Sequence, residues 1–273
     1  MNFLKSINLT ITFLCFTVLI HAQTVKVDSG SVTVKPSSYE AHWAGMDVGT
    51  VILMNNDFGT DFSNNPYWEN DIANSTTTAI NLLEFKLPIA KQYLGLVTGL
   101  GYQNTNISFR ENYVLNYDES SVFAVKDPNQ EYKRNWLAAH YLTAPLLLEF
   151  ASKVEGKKSF YFNAGVVGGV RIGSSTTLKG KYENGDKFTN VRRAKYNLNP
   201  VFLDASFRIG YGAFGLFGSY SLSTMFKADK TVAIRPLRVG ITWNWHYSGS
   251  DKSKKGDFDF EPIEEESVEG VDL

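Results

Sequence analysis

Four acids and four bases sit within stretches otherwise built of apolar or small residues: Asp47, Glu84, Glu149 and Asp204 against Lys86, Arg171, Arg208 and Arg238. Ionised groups in such surroundings catalyse, hold a metal, or pair with one another, because an isolated charge out of water costs many kcal/mol. The other signals for chemistry are sparse. Outside the N-terminal stretch the histidines are His42, His140 and His246, none with a neighbour at metal-ligand spacing. His140 with Tyr141 and Thr143 could imitate the site of a lipid-modifying membrane enzyme, but no serine nucleophile motif accompanies them. Asp57, Asp61, Glu69 and Asp71 cluster in one segment without the spacing of a calcium loop. Gly210-Tyr211-Gly212-Ala213-Phe214-Gly215 matches G-x-G-x-x-G letter by letter. A dinucleotide site needs those glycines between a strand and a helix, whereas this run spans a tight turn between two strands. No catalytic residue, cofactor site or metal site is expected, which leaves charge pairing in a confined interior.

The elements that must position these charges are strands. From Leu237 to His246 every odd residue is large and apolar and every even one is polar or glycine. Period two over that length is what a tilted strand needs to cross a bilayer. The same alternation runs through Leu142–Phe150, Phe160–Ile172 and Val201–Tyr211, then from Leu216 through Tyr220 and Leu222 to Phe226. Weaker versions cover Ala44–Ile52, Leu83–Ile89 and Leu94–Tyr102, which makes eight strands in all. Their connections alternate in length. Ala90–Tyr93, Ser152–Lys158 and Gly212-Ala213 are short, whereas Asn55–Thr78, Gln103–Asn135 and Ser174–Asn199 are long. Short turns at one end and three large loops at the other predict an all-β fold: an eight-stranded antiparallel up-and-down transmembrane barrel with short periplasmic turns and long extracellular loops.

On that plan the apolar face meets lipid and the eight charges face a lumen only wide enough for side chains. They are expected to form an ion-pair network that plugs it, with Gly165, Gly169, Gly210, Gly215 and Gly240 making room for the arginines. Tyr93, Phe150, Phe160, Tyr211, Phe214, Trp243 and Trp245 lie on the apolar face near the short turns or the end of the last strand. They are expected to form a periplasmic aromatic girdle. The loops carry contrasting charge. Residues 55–74 are acidic and aromatic, while Lys179, Lys181, Lys187, Arg192, Arg193 and Lys195 make the third loop basic. Its Asn184-Gly185 predicts a hairpin extending above the membrane. The two loops could pair with each other, or meet a partner or lipopolysaccharide phosphates.

The termini complete the organisation. Residues 1–22 read as a secretory signal peptide, with Lys5 before the apolar run Ile11–Ile20 and Ala22 at the cleavage point. Its removal takes away Cys15, the only cysteine, and with it thiol chemistry and disulfides. Residues 23–40 are assigned to a periplasmic segment and 41–247 to the barrel. Residues 248–273 form an acidic flexible tail, with nine acids against three lysines from Asp251 onward. The formal net charge of −1 offers no basic excess for nucleic acid. After residue 22 no stretch reaches 18 consecutive apolar residues, so a membrane helix is excluded.

The segments Gly95-Leu96-Val97-Thr98-Gly99-Leu100-Gly101-Tyr102 and Tyr141-Leu142-Thr143-Ala144-Pro145-Leu146-Leu147-Leu148-Glu149-Phe150, with Ser219–Phe226 leading into Val239-Gly240-Ile241, resemble the PorT-like outer-membrane β-barrel family of Bacteroidetes. The resemblance covers residues 41–247 and implies an outer-membrane location and a small barrel like OmpA or OmpX, without a cofactor. The family's namesake takes part in type IX protein secretion, a role that the resemblance does not imply for this chain. The expectation is a monomeric, non-enzymatic outer-membrane barrel in contact with membrane lipid and lipopolysaccharide. Its role is structural or accessory, through a surface or periplasmic protein partner. The alternatives are a narrow channel for small solutes and a lipid-modifying enzyme.

Overall fold

The computed structural model describes residues 27–28, 31–32, 41–62, 65–90, 93–110, 112–118, 120–128, 132–152, 159–182 and 185–245. The signal peptide, nearly all of 23–40, Asn184, His246 and the acidic tail therefore lie outside the described residues. Eight strands form the main structure: β1 Gly45–Met54, β2 Thr76–Ala90, β3 Leu94–Ser108, β4 Tyr132–Ala151, β5 Phe160–Lys181, β6 Val201–Tyr211, β7 Phe214–Ser221 and β8 Arg235–Asn244. Each pairs antiparallel with its sequence neighbour, and β8 pairs with β1 from Arg235↔Met54 to Asn244↔Gly45, closing the ring. An up-and-down ring leaves no barrel strand with an unpaired edge, the condition for a sheet to sit in hydrocarbon.

The register fixes the width of the barrel. Following paired residues once round from Phe160, through Tyr211, Phe214, Trp243, Met46, Ile80, Tyr102 and Leu142, returns to β5 at Val170, ten residues further along. A ten-residue stagger over eight strands, at ~3.3 Å per residue and ~4.8 Å between strands, tilts them by roughly 40°. Along β4 the alternation is unbroken from Tyr141 to Ala151: Leu142, Leu146, Leu148 and Phe150 are exposed, while Tyr141, Thr143, Leu147 and Glu149 are buried.

The strands outrun their apolar alternation at the long-loop end. β2 begins at Thr76, β3 runs to Ser108, β4 begins at Tyr132 and β5 continues to Lys181. Above the membrane the outer face meets water, so polar residues extend the ladder and the lipid signature disappears. The connections there number four: 55–75, 109–131, 182–200 and 222–234. The second contains a hairpin, Tyr113–Tyr117 with Val122–Lys126, and the third contains an arm, Lys187–Arg193, that folds back on β5 around Gly185 (φ 85°). The fourth corrects the expected strand to Phe226. β7 stops at Ser221, and Phe226 turns inward to 2% exposure.

All four connections converge on one apolar core. Phe62, Trp68, Phe109, Leu115, Val122, Tyr196, Leu198, Met225, Phe226 and Ile234 pack with the upper barrel wall at Val51, Leu53, Ile107, Leu137, Tyr141 and Phe202. Trp68 stands at its centre, 4.9 Å from the Phe226 ring and 6.0 Å from Phe109, its indole N–H donating to Thr231 Oγ1 at 3.0 Å. These loops form a lid whose core is continuous with the upper barrel wall.

The inward glycines also differ from expectation. A Cβ at Gly169 would strike the Phe202 ring, one at Gly210 or Gly215 the Tyr161 phenol, and one at Gly240 the Phe217 ring and the Val48 carbonyl. These four make room for aromatic rings rather than for arginines, because a tilted strand brings bulky neighbours against the adjacent strand's backbone, whereas a Cβ at Gly165 would meet the Leu146 carbonyl and the Leu147 Cα. Gly169→Ala is expected to cost about 1–3 kcal/mol by overpacking, and Phe202→Leu in the same chain to recover most of it. Urea unfolding of the barrel in lipid vesicles, followed by tryptophan fluorescence, checks both.

Candidate functional site: the barrel lumen

Alternation along eight tilted strands directs every second side chain into the lumen, and the charged ones meet there as struts between non-adjacent strands. Nearest the short turns, Lys86 on β2 lies 2.7 Å from Glu149 on β4. In the middle, Arg208 on β6 reaches across to Asp47 on β1 at 2.5 Å, with Asn81 donating to the same oxygen at 3.1 Å. Higher up, Arg238 on β8 lies 2.7 Å from Asp204 on β6, whose other oxygen accepts from the Ser221 hydroxyl at 2.6 Å. The six residues are all buried, between 0% and 8% exposed. Each charge therefore keeps an opposite charge within contact distance, which offsets a desolvation cost of several kcal/mol per ion.

The remaining two charges do other work. Glu84 accepts from the backbone amides of Ala41, Trp43 and Ala44 at 3.0, 3.0 and 2.7 Å. Arg171 lies outside the three pairs. It donates to the carbonyls of Lys195, Leu198 and Asn199 at 3.3–3.4 Å and to Ser174 Oγ at 2.8 Å. The eight charges thus include three close pairs, one acid that grips donors at the short-turn end and one base that grips acceptors under the lid. Charged groups bind backbone in this way because ionised partners make the stronger hydrogen bonds.

The segment Ala41–Ala44 precedes the alternating pattern of β1, and it fills the lower lumen. All four residues are at most 3% exposed. The His42 amide donates to Glu149 Oε2 at 2.8 Å, its ring stacks on Tyr161 at 4.0 Å, and Trp43 lies 4.2 Å beneath the Arg208 guanidinium. Ala41 and Trp43 pack with Val97, Leu147 and Val167 in a second apolar cluster. Between plug and lid remains a cavity of about 30 Å³ lined by Asp47, Gln103, Thr143, Asp204, Arg208 and Arg238 among others. That is room for a water or two.

One constellation in this layer resembles an acyl-transfer triad. Ser159 Oγ lies 3.4 Å from His42 Nε2, and His42 Nδ1 lies 3.3 Å from Glu149 Oε1. Both distances are long, Glu149 already holds Lys86, and the three side chains are at most 2% exposed, which gives a substrate no approach to the hydroxyl. The contacts anchor the plug. The rim group considered in the sequence is not brought together: His140 faces outward and bonds the Tyr102 hydroxyl at 2.7 Å, whereas Tyr141 and Thr143 face the lumen. Among the described residues no three metal-ligating side chains converge.

The seven aromatics named from the sequence collect at the short-turn end of the outer face. Phe160, Tyr211, Phe214 and Trp243 are successive register partners across four strands, and Trp245 lies 6.5 Å from Trp243. Phe150 and Tyr93 continue the row on β4 and just before β3, with exposures of 52% and 43%. Of the acidic loop, Glu69 faces Arg110 at 3.8 Å rather than the third loop's basic residues.

Asp47→Ala alone should destabilise the barrel by about 3–5 kcal/mol, since Arg208 stays buried without its counter-charge. Asp47→Leu combined with Arg208→Met should recover most of that loss in the same urea titration.

A family model described as outer membrane protein beta-barrel domain matches residues 44–226. No curated protein matches the chain, and no solved structure does. The match takes in β1 to β7, while β8 lies beyond it and supplies the partner that closes the ring on β1. Matched over most of its length by that model, and folded as a closed ring of eight antiparallel strands, this chain belongs to the outer membrane protein β-barrel domain family.

Proposed function

We propose that this protein is a sealed, non-enzymatic barrel of the outer membrane with a structural or accessory role. In this reading it is a monomer that reaches the envelope through its signal peptide and belongs to the PorT-like branch found in Bacteroidetes. It presents a rigid loop surface outside the cell and an acidic tail to the periplasm, and a protein partner docks on one of them. The observation that carries this is closure of the lumen from both ends. Residues 41–44 fill the lower part, three ion pairs cross the lumen at successive heights, and the four-loop core covers the top. A lumen so filled serves rigidity, and it leaves the loops and the tail as the surfaces for specific contact.

The test is affinity purification from native membranes in mild detergent, with full-length protein beside a version truncated after Tyr247. A stoichiometric partner lost on truncation assigns docking to the tail, a partner retained assigns it to the loops, and no partner in either sample overturns the accessory role. In planar bilayers the purified barrel is expected to show no conductance steps above bare lipid, and regular steps altered by Arg208→Gln would favour the channel instead. Trp68→Ala should cost roughly 3–5 kcal/mol within the lid. Limited proteolysis should then cut the loops faster while the barrel keeps its heat-modifiable migration on gels.

A further inference from the structure

Above the apolar band the outer face of β4 and β5 changes character. Arg134 and Lys179 are direct cross-strand partners, and Lys181 is paired in the same way with Lys187 on the folded-back arm. Like charges placed opposite one another weaken a ladder. The first pair also shares one ring: the Arg134 guanidinium lies 5.8 Å and the Lys179 ammonium 5.4 Å from the Trp136 centroid. That contact offsets part of the repulsion and holds both cations to one spot. Among the described residues no carboxylate stands within ion-pair distance of either.

Arg134 and Trp136 also line a surface groove of about 760 Å³, shared with Lys133, Asn106, the acid Asp71 and Arg110, which is itself held by Glu69 at 3.8 Å. The Asn74 side-chain amide is the main cause holding the Asp71 carboxyl below the ordinary carboxylate range, so that acid keeps its charge and its own partner. Four residues along β4 from Trp136, the stacked Tyr102–His140 pair marks the top of the apolar band on the same face. The cations thus stand at the level of the lipid headgroups of the outer leaflet, where an anion could bridge them.

We propose that Arg134 and Lys179, cross-strand partners held on the Trp136 ring at the edge of the groove, bind a phosphate monoester carried by a lipid of the outer leaflet. A phosphate between the two cations replaces their repulsion with charge-assisted hydrogen bonds, the guanidinium presenting two donors to its oxygens. This goes beyond the accessory role and is independent of it, since a barrel with no protein partner would still hold the lipid.

The experiment compares the full-length protein and R134Q/K179Q in nanodiscs of phosphatidylcholine, with and without a few mole per cent of diphosphorylated lipid A. The wild type is expected to gain about 3 °C or more in unfolding midpoint with the phosphorylated lipid. The double variant should lose that gain, and in phosphatidylcholine alone it should unfold at or above the wild-type midpoint because the repulsion is gone. A merely structural pair would instead lower the midpoint in neutral lipid, and that result overturns the proposal. So does a gain that survives in the double variant. An equal gain from inorganic phosphate in mild detergent would assign the site to a free anion and overturn the lipid assignment.

Discussion

Hydrocarbon offers no partner to a backbone amide or carbonyl, and that single constraint organises the molecule. It requires β8 to return to β1, so the last strand is as necessary to the fold as the seven that precede it. Closure with a ten-residue stagger sets the tilt, and the tilt sets a lumen that side chains can fill but a solute would have to empty. Everything inside the barrel answers to the volume left by that ring.

The interior is filled by two different physical solutions. Toward the short turns charges from non-adjacent strands meet as struts around a small apolar cluster at Trp43, and Glu84 grips the amides of the incoming chain. At the other end it is apolar, because the loops above the membrane can fold over the mouth and bury Trp68, Tyr196 and Phe226 as a soluble domain would. Arg171 joins the two regimes: it starts on a barrel strand and ends on the carbonyls that hold the third loop to the lid. The outer surface has its own stratification, with aromatics near the short turns, aliphatics in the middle, the Tyr102–His140 pair above them, and cations higher still.

Within the membrane the strands could be read from the sequence, because lipid on one side and packed side chains on the other force strict alternation. Leu142–Phe150 and Leu237–Asn244 carry that signal with almost no exceptions. The alternation disappears where the constraint lapses. The upper halves of β4 and β5 have water outside, so Tyr132–Asn135 and Ser174–Lys181 read as loop in the sequence. Phe226 was placed on the lipid face because its spacing from Leu222 suits a strand, although β7 ends at Ser221 and the chain turns inward. Ala41–Ala44 carried no readable pattern, since backbone amides caught by Glu84 leave no mark in residue type.

The amino-acid sequence by itself determined the fold class, the strand count, the alternation of short and long connections, and which charges point away from lipid. Those properties are local, set by period-two patterning and turn length. Only the tertiary structure decided which charge meets which, that Glu84 and Arg171 hold backbone, and that Gly169, Gly210, Gly215 and Gly240 yield to aromatic rings. It alone also showed the four loops sharing one core. Such contacts join residues far apart in the chain, such as Asp47 and Arg208 or Trp68 and Thr231. They depend on the stagger of a closed ring, which is a property of the whole barrel and of no single segment.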